Sequence, residues 1–148
     1  MNDWVPFSAV AIFAEDARDE PAGTVSLISI LPDTVVLSHL PATLPRLTLY
    51  IRISYDPSDP PDSVSCGLHI DDQPALLTQD FASDRLAEAI AETRATDARI
   101  GTIVARFDVV NLDLPKPCLL NATVTWAGEA FIVGTLRVRE HPGQDPSN

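Results

Sequence analysis

The sequence predicts a mainly β protein, a single-domain antiparallel β-sandwich of seven to eight strands with one α-helix near residues 81–95. Short apolar runs recur along the chain, and proline, glycine or aspartate residues separate them. Within several runs apolar and polar residues alternate, which is the period of a strand with one buried face. One segment instead carries its apolar residues at helical spacing. The chain has 148 residues, the length of one domain.

Eight runs have the composition of strands, and turn residues bound them. In chain order they are residues 7–14, 24–30, 34–37, 46–55, 63–70, 100–110, 118–126 and 131–138. Gly23 suits a positive φ at the turn before the second run, and Pro32 ends that run. Gly128 marks a tight hairpin between the last two runs.

The fourth run alternates most regularly. Its odd-numbered positions from Leu47 onward are apolar and its even-numbered positions are mostly polar, so we expect one buried face. The prolines of residues 56–62 end it, because proline has no N–H to donate to a sheet. The fifth run alternates in the same way, and the two runs together predict a hairpin with a long loop.

The helix is predicted between residues 80 and 96. Phe81, Leu86 and Ile90 fall near one face at helical spacing, and no proline or glycine interrupts the segment. Asp80 or Ser83 is the expected N-cap. We expect this helix to pack over an edge or an end of the sheets.

The sandwich domain is predicted to span residues 1–140. Residues 141–148 contain no apolar side chain larger than proline, which predicts a disordered C-terminal tail.

The chain is acidic, with 10 Lys and Arg residues against 21 Asp and Glu residues and a formal net charge of −11. A surface that binds duplex nucleic acid needs clustered Lys and Arg, so the charge argues against direct nucleic-acid binding. No apolar window reaches the length of a membrane span. The first residues lack the basic start and apolar core of a signal peptide, so we expect a cytoplasmic protein without membrane association.

Cys66 and Cys118 belong to no Cys-x-x-Cys pair, so a zinc ribbon is unsupported. Both lie in strand-like runs, where a free thiol behaves as a small apolar side chain. We expect two buried thiols. The alternative is a disulfide between two strands.

Two elements near the N-terminus are distinctive. Residues 14–20 read Ala-Glu-Asp-Ala-Arg-Asp-Glu, and residues 23–28 read Gly-Thr-Val-Ser-Leu-Ile. With the strand at residues 46–52, the central helix and the closing strand at residues 134–138, they resemble a family of short uncharacterised bacterial and prophage β proteins. That family has an Ala-Glu-Asp-x-Arg-x-Glu element followed by Gly-x-x-Ser-Leu-Ile. The resemblance implies a β fold and a bacterial host or phage-particle setting, and it implies no activity.

The acidic segment and the polar face of the fourth run are the candidate partner-binding residues. Glu15 and Asp16 are expected to bind a partner or cation, with Arg18 held between carboxylates. The alternative is a solvated turn in which Arg18 pairs with a neighbour, because charge runs usually face solvent. Tyr50 and Arg52 are predicted on the polar side of their strand, where aromatic and arginine residues anchor partners.

Asp56, Asp59 and Asp62 share one loop at three-residue spacing and are the candidate metal ligands. Calcium needs about 6–8 oxygen ligands, usually from several segments. Asp71 and Asp72 are predicted at the opposite end of the fifth strand and would not complete the set. The alternative is that these aspartates are turn residues.

No cofactor is predicted. The three histidines are scattered at positions 39, 69 and 141, whereas zinc needs at least three converging ligands. The sequence contains no nucleophile elbow, phosphate loop, His-Glu-x-x-His or dinucleotide fingerprint. It therefore predicts a protein that is not an enzyme.

The leading hypothesis is a non-enzymatic protein-binding or structural accessory module of a bacterial or phage system. Sheet edges and the Tyr50 face are the expected docking surfaces, and open edges also allow a homo-oligomer. A first alternative is an acidic inhibitor or mimic that binds a nucleic-acid-binding protein. A second is a β-sandwich that binds calcium or a small ligand.

Overall fold

A computed structural model describes residues 6–142, which form nine strands and one α-helix. The strands are β1 (Phe7–Asp19), β2 (Val25–Ile30), β3 (Thr34–Leu37), β4 (Ala42–Tyr55), β5 (Val64–Ile70), β6 (Leu77–Phe81), β7 (Gly101–Leu114), β8 (Cys118–Trp126) and β9 (Glu129–Glu140). The helix α1 (Ser83–Ala95) lies between β6 and β7. A single 3-10 turn, Pro21–Gly23, joins β1 to β2.

The strands form two sheets, which confirms the predicted sandwich. One sheet has the order β2-β1-β4-β7 and the other has the order β3-β9-β8-β5-β6. Every pairing is antiparallel except that of β3 with β9, which is parallel. Buried side chains from both sheets belong to one continuous core. The two sheets therefore pack against each other through their apolar faces.

The core follows the alternation of the sequence. On β4 the odd-numbered side chains from Leu47 to Ile53 are fully buried, and on β8 Leu120 and Val124 are buried opposite them in the second sheet. Polar residues between these positions point to the outer faces. The hydrophobic period of 2 thus decides which side of each strand faces the other sheet.

Aromatic side chains and α1 close one end of the sandwich. Trp126 stacks on Phe7 with ring centroids 4.9 Å apart, and Tyr55 lies 5.9 Å from the same indole. The helix begins after β6 and ends before β7, and both strands meet this end. Arg94 Nε donates to the carbonyl of Pro57 at 3.1 Å, in the loop that follows β4. The helix therefore lies at this end of the sandwich.

The predicted hairpin of the fourth and fifth runs is wrong. β4 belongs to the four-stranded sheet and β5 to the five-stranded sheet, so residues 56–63 connect the two layers. A connection of this length spans the roughly 10 Å between packed sheets easily. Alternation is identical in the two runs, because it reports the buried face of a strand and not the sheet that holds it.

Other element boundaries differ from the prediction. β6 is a ninth strand, paired with β5, and it takes in Phe81, which was expected on the helix. The N-cap is Ala82, and it makes no side-chain capping hydrogen bond, so neither Asp80 nor Ser83 has that role. β1 runs on to Asp19 through the acidic segment, and the parallel β3–β9 pair was not expected.

The two cysteines are free and buried, as predicted. Cys66 of β5 lies opposite Val124 of β8, six residues from Cys118. That separation is about 20 Å along a strand, far beyond the reach of a disulfide. Burial raises the pKa of the Cys66 thiol to about 12. For Cys118, burial and then the Asp71 carboxylate raise the pKa, while Lys116 opposes them.

The predicted tail, residues 141–148, lies outside the described residues apart from His141 and Pro142. The His141 N–H donates to the carbonyl of Leu37 at 2.7 Å. Within residues 6–142 no helix has the length and apolar character needed to cross a bilayer.

Gly134→Ala is expected to destabilise the fold by about 1–3 kcal/mol, the usual cost of overpacking. A Cβ at Gly134 of β9 would lie 2.7 Å from the Cβ of Ala11 of β1, where the two sheets approach most closely. In an Ala11→Gly background the same substitution has room and should cost much less. Urea unfolding of the four chains measures this coupling, and equal costs in both backgrounds would contradict the contact.

Cys66 is expected to make stability fall at alkaline pH. The unfolded thiol ionises near pH 9.0 while the buried thiol does not until about 12. Its stabilising contribution is therefore complete below pH 9 and is lost as the pH rises toward 12. Between about pH 8 and pH 10.5 we expect wild type to lose about 2 kcal/mol more than Cys66→Ala. Equal losses in urea unfolding would refute the burial of this thiol.

Candidate binding site

The acidic segment is the second half of a strand. β1 pairs with β4 from Phe7 to Ala14, and from Ala14 to Asp19 it pairs with β2. Glu15, Asp16 and Arg18 therefore lie on a β-ribbon formed by β1 and β2 alone. The segment is therefore not the turn considered as the alternative, since the turn begins only after Asp19, although Glu15, Arg18 and Asp19 are exposed to solvent as that alternative expected.

The ribbon bends back across the outer face of the four-stranded sheet. Arg106 of β7 lies in register with Tyr50 of β4 and Ile12 of β1. Asp19 is seven residues beyond Ile12, which is about 23 Å along a straight strand. Yet Arg106 Nη1 lies 2.9 Å from Asp19 Oδ1. The contact is only made if the end of the ribbon folds over the sheet.

Burial on the outer face agrees with this bend. Alternation places Ala14 and Thr48 on the outer face, opposite one another, and both are nevertheless buried. The Thr48 hydroxyl donates to Asp108 Oδ1 at 2.8 Å, which satisfies the polar group of this covered residue. The ribbon shields this row of the sheet from solvent.

Two arginines outside the acidic segment hold it in place. Arg46 Nη1 lies 3.1 Å from Asp16 Oδ2, while Arg106 contacts both Asp19 and Asp108 at 2.9 Å. Burial disfavours the charged guanidinium, but the Asp108 and Asp19 carboxylates outweigh it and raise the pKa of Arg106. Arg18 was expected between the carboxylates, and this is wrong. Its side chain is exposed and takes part in none of the ion pairs found within residues 6–142.

A cleft of about 480 Å³ opens beside the ribbon, where strands of both sheets meet. Its walls are apolar, and Glu15, Asp16 and Arg46 form a charged rim. The apolar lining consists of Leu31, Val35, Leu37, Leu44 and Pro45. The volume falls in the range of natural small-ligand and side-chain pockets.

Tyr50 and Arg52 lie on the outer face of β4, as predicted. Tyr50 is half-buried beside Arg106, and the exposed Arg52 lies between Val10 of β1 and Val104 of β7. The two predicted partner-binding groups are therefore neighbours. The link between them is Arg106, which contacts the ribbon at Asp19 and flanks Tyr50.

The loop aspartates form turns. Asp56 Oδ1 accepts the Ser58 hydroxyl at 2.7 Å and the Ser58 N–H at 2.9 Å, and these bonds lower the pKa of Asp56. The Asp59 N–H closes the turn on the Asp56 carbonyl. In the part of the chain that the structure describes, no three His, Cys, Asp or Glu side chains converge on a metal position. Asp71 and Asp72 lie at the far end of β5.

A hydrogen-bond network orders the outer face of the five-stranded sheet. His69 contacts the Gln73 carbonyl through Nδ1 at 3.0 Å and the Thr123 hydroxyl through Nε2 at 3.1 Å. The Thr135 hydroxyl donates to Asn121 Oδ1 at 2.8 Å. These bonds join three strands and fasten the turn after β5, so the network is structural.

Sequence reasoning missed most of the cleft. Arg46 was placed on the polar side of its strand without a partner, and Arg106 was not singled out. The apolar residues that form the walls of the cleft come from separate strands and loops. No sequence pattern links these segments, so their convergence could not be predicted. The one local signal of the cleft was the leucine and proline content around Pro45, which is equally typical of a loop.

A comparison of the chain with protein-family models gives no match, and neither does a comparison with the curated proteins.

Arg106→Ala is expected to release the ribbon from the sheet. The substitution removes the only contacts that the described chain shows between Asp19 and β7. Hydrogen exchange of amides in residues 16–28 should accelerate several-fold, while amides of β8 keep their protection. Arg18→Ala, an exposed arginine on the same ribbon, is the matched control and should change nothing. Unchanged exchange in Arg106→Ala would show that the bend does not depend on this guanidinium.

Proposed function

We propose that the chain is a non-enzymatic protein-binding module whose recognition site is the cleft beside the ribbon. The observation that carries this proposal is the combination of an apolar interior with a charged rim on residues that the acidic segment supplies. A pocket that accepts one apolar anchor and surrounds it with polar groups is the usual centre of a protein interface.

The chemistry of the rim favours a basic partner. Asp16 is neutralised by Arg46, but Glu15 is exposed at the mouth of the cleft and makes no ion pair within residues 6–142. The chain carries a net charge of −11, which attracts a cationic surface over about a Debye length. The partner that fits is a protein segment with a large apolar side chain next to a Lys or Arg.

The setting of the interaction is part of the proposal. The resemblance of residues 14–28 to bacterial and prophage proteins favours an accessory or structural component of a bacterial or phage assembly. Its location would then be the cytoplasm of the host or the phage particle. Tyr50 and Arg52, which adjoin the anchored ribbon, would extend the interface beyond the cleft.

A second candidate is a small apolar ligand, and the size of the cleft favours it. About 480 Å³ lies within the range of roughly 300–1,000 Å³ found for small-molecule sites. Mimicry of nucleic acid has less support, because Asp16 and Asp19 are paired with arginines. They do not present an unbroken row of negative charge.

Filling the cleft is expected to abolish partner binding. Val35 of β3 lines the cleft, whereas the next residue, Val36, faces solvent with 51% of its surface exposed. Tagged wild type, Val35→Trp and Val36→Trp would be used to capture partners from host lysate, with quantitative mass spectrometry as the readout. We expect at least a tenfold loss of one stoichiometric partner with Val35→Trp, because its indole occupies the anchor position. Val36→Trp should behave as wild type.

A second pair of variants in the same experiment tests the charge of the rim. Glu15→Lys should weaken capture, and Glu88→Lys on the exposed face of α1 should not. A partner that both tryptophan variants retain equally would place the interface elsewhere. If wild type captures no protein but carries a small-molecule adduct in native mass spectrometry, and Val35→Trp loses it, the second candidate replaces the first.

A further inference from the structure

β7 is an edge strand with a long open side. It pairs with β4 from Gly101 to Val110 and again from Leu112 to Leu114, and with no other strand among residues 6–142. The helix α1 covers the end of the sandwich and not this edge. Edge strands of this length expose a row of unpaired N–H and C=O groups, and most proteins shorten or cover them.

The outer face of β7 is complementary to its own reverse by chemical type. Around Phe107 the outward positions are Val104, Arg106, Asp108 and Val110. Val104 is 40% exposed and Val110 is 64% exposed, and each lies in register with an arginine of β4. The order apolar, basic, acidic, apolar is complementary to itself when one copy is reversed.

We propose that β7 pairs antiparallel with β7 of a second copy of this chain, centred on Phe107, so that two four-stranded sheets become one continuous sheet. In this register Arg106 of each copy lies opposite Asp108 of the other, and Val104 lies opposite Val110. Opposite charges and apolar side chains are favourable cross-strand neighbours. The interface is isologous, as a two-fold dimer requires.

Neighbouring registers are unfavourable. Directly opposed residues must point to the same face of the joined sheet. Moving the centre of the pairing by one residue keeps this rule but gives every residue a new opposite neighbour. Centring on Arg106 places the two arginines opposite one another, and centring on Asp108 does the same with the two aspartates. Like charges directly opposed destabilise a sheet. The charge pattern therefore favours the register centred on Phe107 and a second copy of this chain as the partner.

This inference does not depend on the proposed cleft function. The cleft is lined by β1, β3, β4 and the segment between β2 and β3, and β7 lies at the other edge of the four-stranded sheet. Two copies joined through β7 would keep both clefts. If the chain forms no dimer, the proposed function of the cleft is unaffected. If the cleft binds no partner, the proposed dimer is unaffected.

Sedimentation equilibrium of the full chain tests for the dimer. The salt concentration should be about 0.15 M, because a net charge of −11 on each copy opposes association at low ionic strength. We expect a reversible dimer below about 100 μM, since a single strand pair is a small interface. Val110→Lys should raise the dissociation constant about tenfold, as it removes two symmetry-related cross-strand pairs. Ile132→Lys, at an exposed site on β9, is the control and should leave it unchanged.

Cysteines introduced on β7 test the register. Val104→Cys and Val110→Cys chains would be mixed under oxidised glutathione and examined on non-reducing gels. Opposed Cα atoms lie about 4.5–5.5 Å apart, within disulfide range, so the mixture should give a covalent dimer. Each variant alone should not, because position 104 lies about 20 Å from its symmetry mate. A wild-type chain that stays monomeric at about 100 μM overturns the proposal. So does a dimer that Val110→Lys leaves intact or that fails to cross-link in the mixture.

Discussion

The Arg106 guanidinium joins two parts of the molecule that are distant in sequence, strand β7 and the ribbon. It contacts Asp108 on its own strand, Asp19 at the tip of the ribbon and, at 3.5 Å, the carbonyl of Ala17. The ribbon would otherwise project from the sheet as two unsupported strands, which are marginally stable on their own. Its bend covers Ala14 and Thr48 and brings Glu15 and Asp16 to the rim of the cleft. The cleft that we propose as the recognition site thus depends on an ion pair on the outer face.

The sequence predicted the faces of the strands well and their neighbours poorly. Alternation from Leu47 to Ile53 and from Leu120 to Val124 identifies buried positions, because burial itself has a period of 2. The same pattern is silent on which strands pair, and it suggested a β4–β5 hairpin where the chain crosses between sheets. The β8–β9 hairpin could be predicted from Gly128, and in the structure Ala127 and Gly128 adopt the positive φ values of a two-residue turn.

The missed elements have physical explanations. β6 reads Leu-Thr-Gln-Asp-Phe and runs directly into the helix, so Phe81 fits the helical period as well as the strand. The acidic half of β1 contains residue types that strands avoid, and arginines from β4 and β7 compensate for their charge. Those partners are 30 and 87 residues away along the chain. No local sequence pattern indicates these arginine partners. Glu15 and Asp16 could therefore be chosen as candidate site residues from the sequence, whereas Arg106 could not.

The parallel pairing of β3 with β9 has a consequence for the order in which the protein matures. It joins residues 34–37 to residues 137–140, so β3 cannot form this pairing until β9 has been synthesised. β3 carries Val35 and Leu37, which form one wall of the cleft. β1, β4 and β7 can assemble earlier, and the ribbon with them. The cleft is therefore complete only after β9 has been made, and a product terminated before β9 would leave β3, one wall of the proposed recognition site, without its partner strand.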